Sequence, residues 1–336
     1  MLAPITFVAR YVFDADETVL FVLAAAALIP LAWLIGEATE HAAEHTGPGV
    51  GGFLNASFGN APELIIALFA ISSGLPNVVR GSLAGSIVSN ILLVLGLAML
   101  IGPDHARLDR RSLVLQLALV VFAVLFFLVP SVPGFHGDPD RHSLALLTLP
   151  VAIVLLAVYI AVTFWNLRQH RAAHREEASE HAWSLKRSLV ALAAATAATA
   201  LISEILVHSL EAFAEAANLS DFFIAVVIVA IVGNAAEHGG AVVIARRGKM
   251  KLATEIAVSS SAQVGLLVIP VVTLVSFGFA HPLSLAFRPI ELIAMGAAAA
   301  FVGFVIRDGR ARRWEGALLI AVYGGFVIWF LAAGDR

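Results

Sequence analysis

The sequence predicts an all-α integral membrane protein with about ten transmembrane helices, arranged as two inverted five-helix repeats. Three observations lead to this fold class. First, 60% of the 336 residues are hydrophobic and 13% are charged, against about 45–50% and about 25% in soluble domains. Second, the apolar residues form ten segments of membrane-spanning length. Third, a motif in the first half recurs 174 residues later in the second half.

The ten segments follow from the roughly 20 apolar residues that a helix needs to cross a bilayer. They lie at residues 18–45, 50–73, 81–101, 112–130, 143–165, 188–210, 222–245, 252–277, 289–306 and 314–334. Backbone polar groups in hydrocarbon must be satisfied internally, so each segment is predicted to be a helix. The resulting domains are a short N-terminus at 1–17, a first repeat at 18–165, a polar linker at 166–187 and a second repeat at 188–334.

The basic residues orient the predicted helices. Sixteen of the 21 Lys and Arg residues lie in the linker and the other loops that follow odd-numbered segments. Cytoplasmic loops are enriched in Lys and Arg, so these loops are expected to face the cytoplasm and both termini the outside. The net charge of −3 gives no general attraction to nucleic acid, and the chain has no cysteine for a thiolate metal site.

The internal repeat is ungapped. Gly59-Asn60-Ala61-Pro62-Glu63 aligns with Gly233-Asn234-Ala235-Ala236-Glu237 at four of five positions. Because each half has an odd number of helices, the second half must be inverted relative to the first. Inverted repeats are typical of secondary transporters, whose substrate site lies near the bilayer midplane between the repeats.

Glu63 and Glu237 both fall near the middle of hydrophobic segments. A charged carboxylate there costs about 2.5–3.5 kcal/mol on insertion scales. The central parts of the predicted spans contain no Lys or Arg. The remaining ways to compensate the charge are a proton or a bound cation, and both can apply at different times.

Polar side chains on the same and neighbouring helices complete a predicted oxygen-rich site. Asn60 and Asn234 each precede a Glu by three residues and share its helical face. Pro62 and the two motif glycines are expected to loosen the helices and free backbone carbonyls. The supporting groups are Ser86 and Asn90 in the third segment and Ser260 and Gln263 in the eighth. An all-oxygen set suits a hard cation such as Ca²⁺, which takes 6–8 oxygen ligands.

With these motifs the sequence resembles the Ca²⁺/H⁺ exchanger (CAX) family of the cation/calcium exchanger superfamily. The resemblance also includes Leu34–Glu40, Leu54–Phe58, Gly85–Asn90 and Ser259–Gln263. It implies that Glu63 and Glu237 form the central cation and proton site, with the Asn, Ser and Gln residues named above around it. The Asn that follows each motif glycine resembles the signature motif of the proton-coupled branch rather than that of the Na⁺/Ca²⁺ exchangers.

Further residues are assigned to proton coupling and access. His238 adjoins Glu237 and is a candidate for the proton path. The predicted access path consists of acidic residues at the ends of the first and sixth segments, namely Glu37, Glu40, Glu44, Glu211 and Glu215. Such clusters raise the local concentration of cations.

The function expected from these features is secondary active antiport of Ca²⁺ and H⁺, without enzymatic activity and without a resident cofactor. The alternatives are a Na⁺/Ca²⁺ or other cation exchanger of the same fold, and a gated cation channel. Ca²⁺, H⁺ and the lipid bilayer are the expected partners, and a homo-oligomer is possible. The expected location is a prokaryotic plasma membrane.

Overall fold

The computed structural model describes the backbone of residues 2–170, 183–280 and 282–334, and their side chains except at 47–53, 55–56 and 166–170. Most of the predicted linker, residues 171–182, lies outside the described residues. The described chain is almost entirely helical. Its helices are α1 (Leu2–Tyr11), α2 (Glu17–Phe58), α3 (Ala61–Ser72), α4 (Pro76–Ser89), α5 (Leu95–Ile101), α6 (Arg110–Gly134), α7 (His142–His170), α8 (Leu185–His208), α9 (Leu210–Ala217), α10 (Asp221–Phe223), α11 (Ala230–Gly233), α12 (Ala235–Arg246), α13 (Met250–Gln263), α14 (Ile269–Ser276), α15 (Pro289–Val305) and α16 (Arg313–Ala333).

Wide π-helical turns join several of these helices into continuous spans. They cover Asn90–Val94, Ile224–Val229 and Val264–Val268. A 3₁₀ turn, Ile306–Asp308, follows α15. Strands β1 (Ala106–Arg107) and β2 (Arg310–Ala311) pair antiparallel outside the helical bundle.

The predicted membrane fold of about ten helices is confirmed. In the described residues, eight helical spans are long and apolar enough to cross a membrane. A ninth arises if Leu210–Ala217 and Asp221–Gly233 are one span bent by 112°, and α3 is a shorter apolar helix. Together these account for the ten predicted segments.

The repeat is visible in the secondary structure itself. The bounds of α3 and α4, shifted by 174 residues, coincide with those of α12 and α13. The π turn Asn90–Val94 coincides in the same way with the π turn Val264–Val268. Such turns are rare and often mark functional sites, so their recurrence at one offset supports the division into two related halves.

Three helical stretches lie outside the predicted segments. The N-terminal residues form helix α1, which packs on α2 and α8 and buries Thr6. Residues 46–49 are helical, since α2 runs without a break to Phe58 and ends before Gly59–Asn60. The third span begins at Pro76 rather than at residue 81, since proline suits the first helical turn.

The earlier start of α4 places Arg80 inside a span, whereas the predicted segment began one residue later, at 81. Its side chain is 1% exposed. The guanidinium donates to both carboxylate oxygens of Asp140, to the side chain of Asn77 and to the carbonyl of Ser284. Arg80 thus ties the first half to the segment that precedes α15 in the second half.

Replacing Arg80 by methionine is expected to lower the free energy of unfolding by about 2 kcal/mol. Breaking a buried ion pair costs about 3–5 kcal/mol, and the partial exposure of Asp140 reduces that figure. Thermal unfolding of the purified protein in detergent measures the effect. Arg111→Met, at an exposed position on α6, is the control and should change the melting temperature little. Equal melting temperatures for both variants would contradict the role of Arg80.

Candidate functional site

The site begins at two helix interruptions. Asn60 has φ −95° and ψ 18°, and Asn234 has φ −88° and ψ 11°, so neither is helical. Pro62 lies in the first turn of α3, as expected for a helix start. The second interruption occurs although Ala236 replaces this proline. At that position the Asn234 side chain donates to the carbonyl of Ala230 at 2.7 Å, so the asparagine itself competes for backbone partners.

The interruptions place Glu63 and Glu237 in the first turns of α3 and α12. The N-terminal end of a helix carries partial positive charge and favours a nearby carboxylate. Glu63 is 5% exposed. A Cβ at Gly233, in the second motif, would lie 3.3 Å from the Glu63 Cγ, so the Glu63 side chain reaches the motif that contains Glu237. The two halves therefore bring their acidic residues to one shared region.

Asn90 and Asn234 are at the centre of a hydrogen-bonded network between the halves. The Asn90 amide donates to Asn234 Oδ1 at 2.9 Å and to Ser260 Oγ at 3.0 Å. Asn234 in turn donates to Ser86 Oγ at 2.7 Å. These four side chains are buried. Their mutual bonds satisfy most of the polar atoms that packing removes from water.

The network extends to the predicted proton-coupling residues. Ser260 donates its hydroxyl to the carboxylate of Glu237. The Nε2 atom of His238 lies 3.1 Å from Asn90 Oδ1. Asn60 makes a separate contact between the halves, donating to Gln263 Oε1 at 2.7 Å. The structure thus groups all eight predicted cation-site residues and His238 around the two interruptions.

The first half contains buried oxygen atoms that no described residue satisfies. Both carboxylate oxygens of Glu63 and Oδ1 of Asn60 are buried, and none has a hydrogen-bond partner among the described residues. Burying a hydrogen-bond acceptor without a partner costs free energy. Three such oxygen atoms within one helical turn form an environment suited to a proton or a cation. By contrast, Glu237 is held by Ser260, so the two carboxylates are not equivalent.

A small cavity adjoins Glu63. Its volume of about 10 Å³ corresponds to about one water-sized sphere. It is lined by Glu63, Ile66, Ser82, Leu83, Ser86, Val229 and Gly233. A Cβ at Gly233 would lie 3.3 Å from the Glu63 Cγ, so the motif glycine allows the Glu63 side chain to approach closely.

Ser82 lines the cavity although the sequence did not predict it as a site residue. Its spacing of one helical turn before Ser86 is a signal that could have identified it. Its partner in the repeat is Ile256, so alignment of the two halves gave no support. The Ser82 hydroxyl donates a hydrogen bond to the carbonyl of Val79 at 3.1 Å.

The residues predicted for the access path lie apart from this network. Glu37, Glu40 and Glu44 are exposed on α2, and Glu211 and Glu215 are exposed on α9. Among the described residues, the hydrogen bonds of the network do not reach any of these five. Gly36, next to Glu37, faces Ala236, since a Cβ on the glycine would lie 3.9 Å from the alanine Cβ. This contact brings α2 beside the start of α12.

About ten apolar helical segments in two related halves, each half with one acidic residue in the repeated motif, place this protein in the class of inverted-repeat ion transporters. Comparison with known proteins agrees. The family model described as sodium/calcium exchanger protein matches residues 17–168 and 187–332. The chain therefore belongs to the sodium/calcium exchanger family, and within it to the CAX branch, which confirms the resemblance found in the sequence.

Several relatives are similar over nearly their whole length. A Ca²⁺/H⁺ antiporter, ChaA, of Bacillus subtilis is 39% identical over 91% of this chain and 90% of its own length. A Ca²⁺/H⁺ antiporter of Aphanothece halophytica is 36% identical over 92% and 88%. Among solved structures, native YfkE has a TM-score of 0.85 at 34% identity and covers 98% of this chain and 97% of its own.

Proposed function

We propose that this protein is a secondary active antiporter that exchanges Ca²⁺ for H⁺. One observation carries the proposal. The buried carboxylate of Glu63, without a hydrogen-bond partner among the described residues, lies beside Asn60 and close to the second carboxylate, Glu237. Two of the relatives are named as Ca²⁺/H⁺ antiporters. Their names support Ca²⁺ and H⁺ as the two exchanged ions.

Exchange follows from competition for the two carboxylates. Desolvation disfavours the charged form of a carboxyl group, whereas a neighbouring cation favours it. Glu63 and Glu237 therefore hold either protons or Ca²⁺, but not both at full strength. Asn60, Asn234, Ser86, Asn90, Ser260 and Gln263 supply or orient further oxygen ligands. His238 belongs to the proton path of Glu237, because Asn90 connects the imidazole to Ser260.

Coupling of the two ions requires that the protein does not switch its site from one side of the membrane to the other while the site is empty. Two ionised carboxylates facing each other are unfavourable in a low-dielectric interior, so the unloaded protein remains with its site open to one side. Loaded with protons or with Ca²⁺, the site is close to neutral. Movement of α2 and α8, which pack along each other, then alternates access between the two sides, with the acidic residues of α2 and α9 attracting cations at the openings.

The proposed setting is a prokaryotic plasma membrane, with both termini outside the cytoplasm as the basic loops predict. The domain assignment follows the repeat, with a cytoplasmic linker between the halves. A homo-oligomer remains compatible with this arrangement.

The direct test is a cation panel against a pH gradient, using the protein reconstituted into liposomes with a pH-sensitive dye inside. External Ca²⁺ is expected to drive protons out of the liposomes. A Na⁺ gradient in place of the proton gradient is expected not to drive Ca²⁺ movement. Ca²⁺ uptake driven by Na⁺ alone would support the Na⁺/Ca²⁺ alternative. Persistent Ca²⁺ current without any coupling gradient would instead indicate a channel.

A further inference from the structure

Three loops converge on one surface remote from the carboxylate site. They connect α5 to α6, α12 to α13, and α15 to α16. β1 and β2 join the first and third loops, and the backbone N–H of Leu108 donates to the carbonyl of Gly309 at 2.9 Å. Gly248, in the second loop, faces Pro103, since a Cβ there would lie 3.9 Å from the proline Cγ.

Three arginines on this surface form a cluster, here called the arginine triad, of Arg107, Arg110 and Arg310. Arg107 and Arg310 are directly opposite each other in the β1–β2 pair. Directly opposite residues of an antiparallel pair have side chains on the same face, where like charges are destabilising. Arg110 adjoins them, because a Cβ at Gly309 would lie 3.7 Å from the Arg110 Cβ.

The arginine triad forms no salt bridge in the part of the chain that the structure describes. The side chains of its three arginines are exposed and make no ion pair with any described residue. Like charges directly opposite each other are destabilising, and an anion bound between the guanidinium groups would remove this repulsion. The geometry thus leaves a place for an external anion with several acceptor oxygens.

The nearby acidic residues are already engaged. Asp308 and Glu315 pair with Arg312. Asp109 accepts from the backbone N–H of Ser112. Asp104 accepts a hydrogen bond from the backbone N–H of Arg313 at 3.0 Å. This hydrogen bond lowers the pKa of Asp104, so it stabilises the charged carboxylate within the loop.

The position of the triad favours a lipid over a soluble anion. Phe304 and Trp314, within a few residues of Arg310, are 61% and 60% exposed. Exposed aromatic side chains of membrane proteins concentrate at the level of the lipid headgroups. The guanidinium of Arg307 lies 3.9 Å from the centre of the Phe304 ring, so cationic and aromatic groups meet at this level.

We propose that the arginine triad binds the phosphate of an anionic phospholipid. Arginine suits this ligand because its planar fork donates two parallel hydrogen bonds to phosphate oxygens. The site is separate from the exchange site, and it does not depend on which ions the protein carries.

The test is native mass spectrometry of the purified protein, titrated with phosphatidylglycerol, phosphatidylcholine or inorganic phosphate. Phosphatidylglycerol is expected to bind most tightly. A hydrogen bond to a charged group contributes about a tenfold factor in binding, so the triple variant R107Q/R110Q/R310Q, which removes the guanidinium contacts to the phosphate, should weaken this binding by at least about 100-fold. The single variant Arg310→Gln should weaken it by about tenfold, and it replaces the triple variant in the test if that variant does not fold.

The matched control is R246Q/R247Q/K251Q, which removes the same charge from exposed positions of the same surface outside the triad. It is expected to retain the tight phosphatidylglycerol site. Equal losses in the two triple variants would show a general electrostatic attraction and overturn the proposal. Equally strong binding of inorganic phosphate, or no preference over phosphatidylcholine, would overturn it as well.

Discussion

Replacing either Glu63 or Glu237 by glutamine is expected to reduce Ca²⁺-driven proton movement by at least about 100-fold. The change removes one of two negative charges beside a divalent cation, which costs several kcal/mol even at an effective dielectric constant of about 20. Each 1.4 kcal/mol corresponds to a factor of about ten in binding. The variant also loses a group that can release a proton when Ca²⁺ arrives, so both directions of exchange should fail.

The measurement is dye-reported proton release from proteoliposomes on addition of Ca²⁺. Glu17→Gln, the same substitution near the start of α2, is the control and should exchange at the rate of the unchanged protein. Glu63→Gln should also retain its melting temperature, because the Glu63 carboxylate makes no hydrogen bond to a described residue. Full exchange in both Glu63→Gln and Glu237→Gln would refute the assignment of the site.

The variant Gly85→Ala is expected to lower the free energy of unfolding by about 3 kcal/mol or more, at the upper end for overpacked cores. A Cβ at Gly85 would lie 2.0 Å from the carbonyl oxygen of Val226 and 2.9 Å from the Cβ of Ala230. The first of these atoms is backbone, so no rotation of a side chain relieves the clash. Helix α4 would have to separate from the π turn Ile224–Val229.

Thermal unfolding in detergent, together with the yield of monodisperse protein, measures this effect. The control is Gly324→Ala in α16, where an added Cβ meets no atom of the described residues within 4 Å. In that helix alanine should stabilise by about 0.5–1 kcal/mol relative to glycine. Opposite signs for the two variants are therefore expected. An unchanged melting temperature for Gly85→Ala would mean that α4 and the π turn are not in such close contact.

The sequence was sufficient for the fold class because membrane helices and repeats depend on local patterns. Hydrocarbon permits few backbone conformations, so apolar length alone located most spans to within a few residues. The helix boundaries at Phe58 and Pro76 were predicted less well. In both regions apolar and polar residues are mixed, so apolar length does not mark the boundary, although Pro76 is itself a local signal for a helix start.

The burial of Arg80 illustrates what pattern reasoning could not supply. Arginine near a predicted helix end normally reaches the membrane surface. In this protein Asp140 and Ser284, distant in sequence, provide its partners. Ser82 was missed for a related reason, since only the approach of Val229 and Gly233 from the other half makes its position part of a cavity.

By itself the sequence determined that this is a membrane protein of two inverted halves, with one carboxylate in the repeated motif of each, because hydropathy and repetition are properties of the linear chain. Only the tertiary structure decided that the two carboxylates have different surroundings: Ser260 donates to Glu237, whereas Glu63 borders a cavity. Ser260 lies only 23 positions from Glu237, in the same half, whereas the cavity beside Glu63 is closed by Val229 and Gly233 of the opposite half. A repeat that aligns without gaps predicts equivalent positions, but it cannot predict which neighbours the opposite half places beside them.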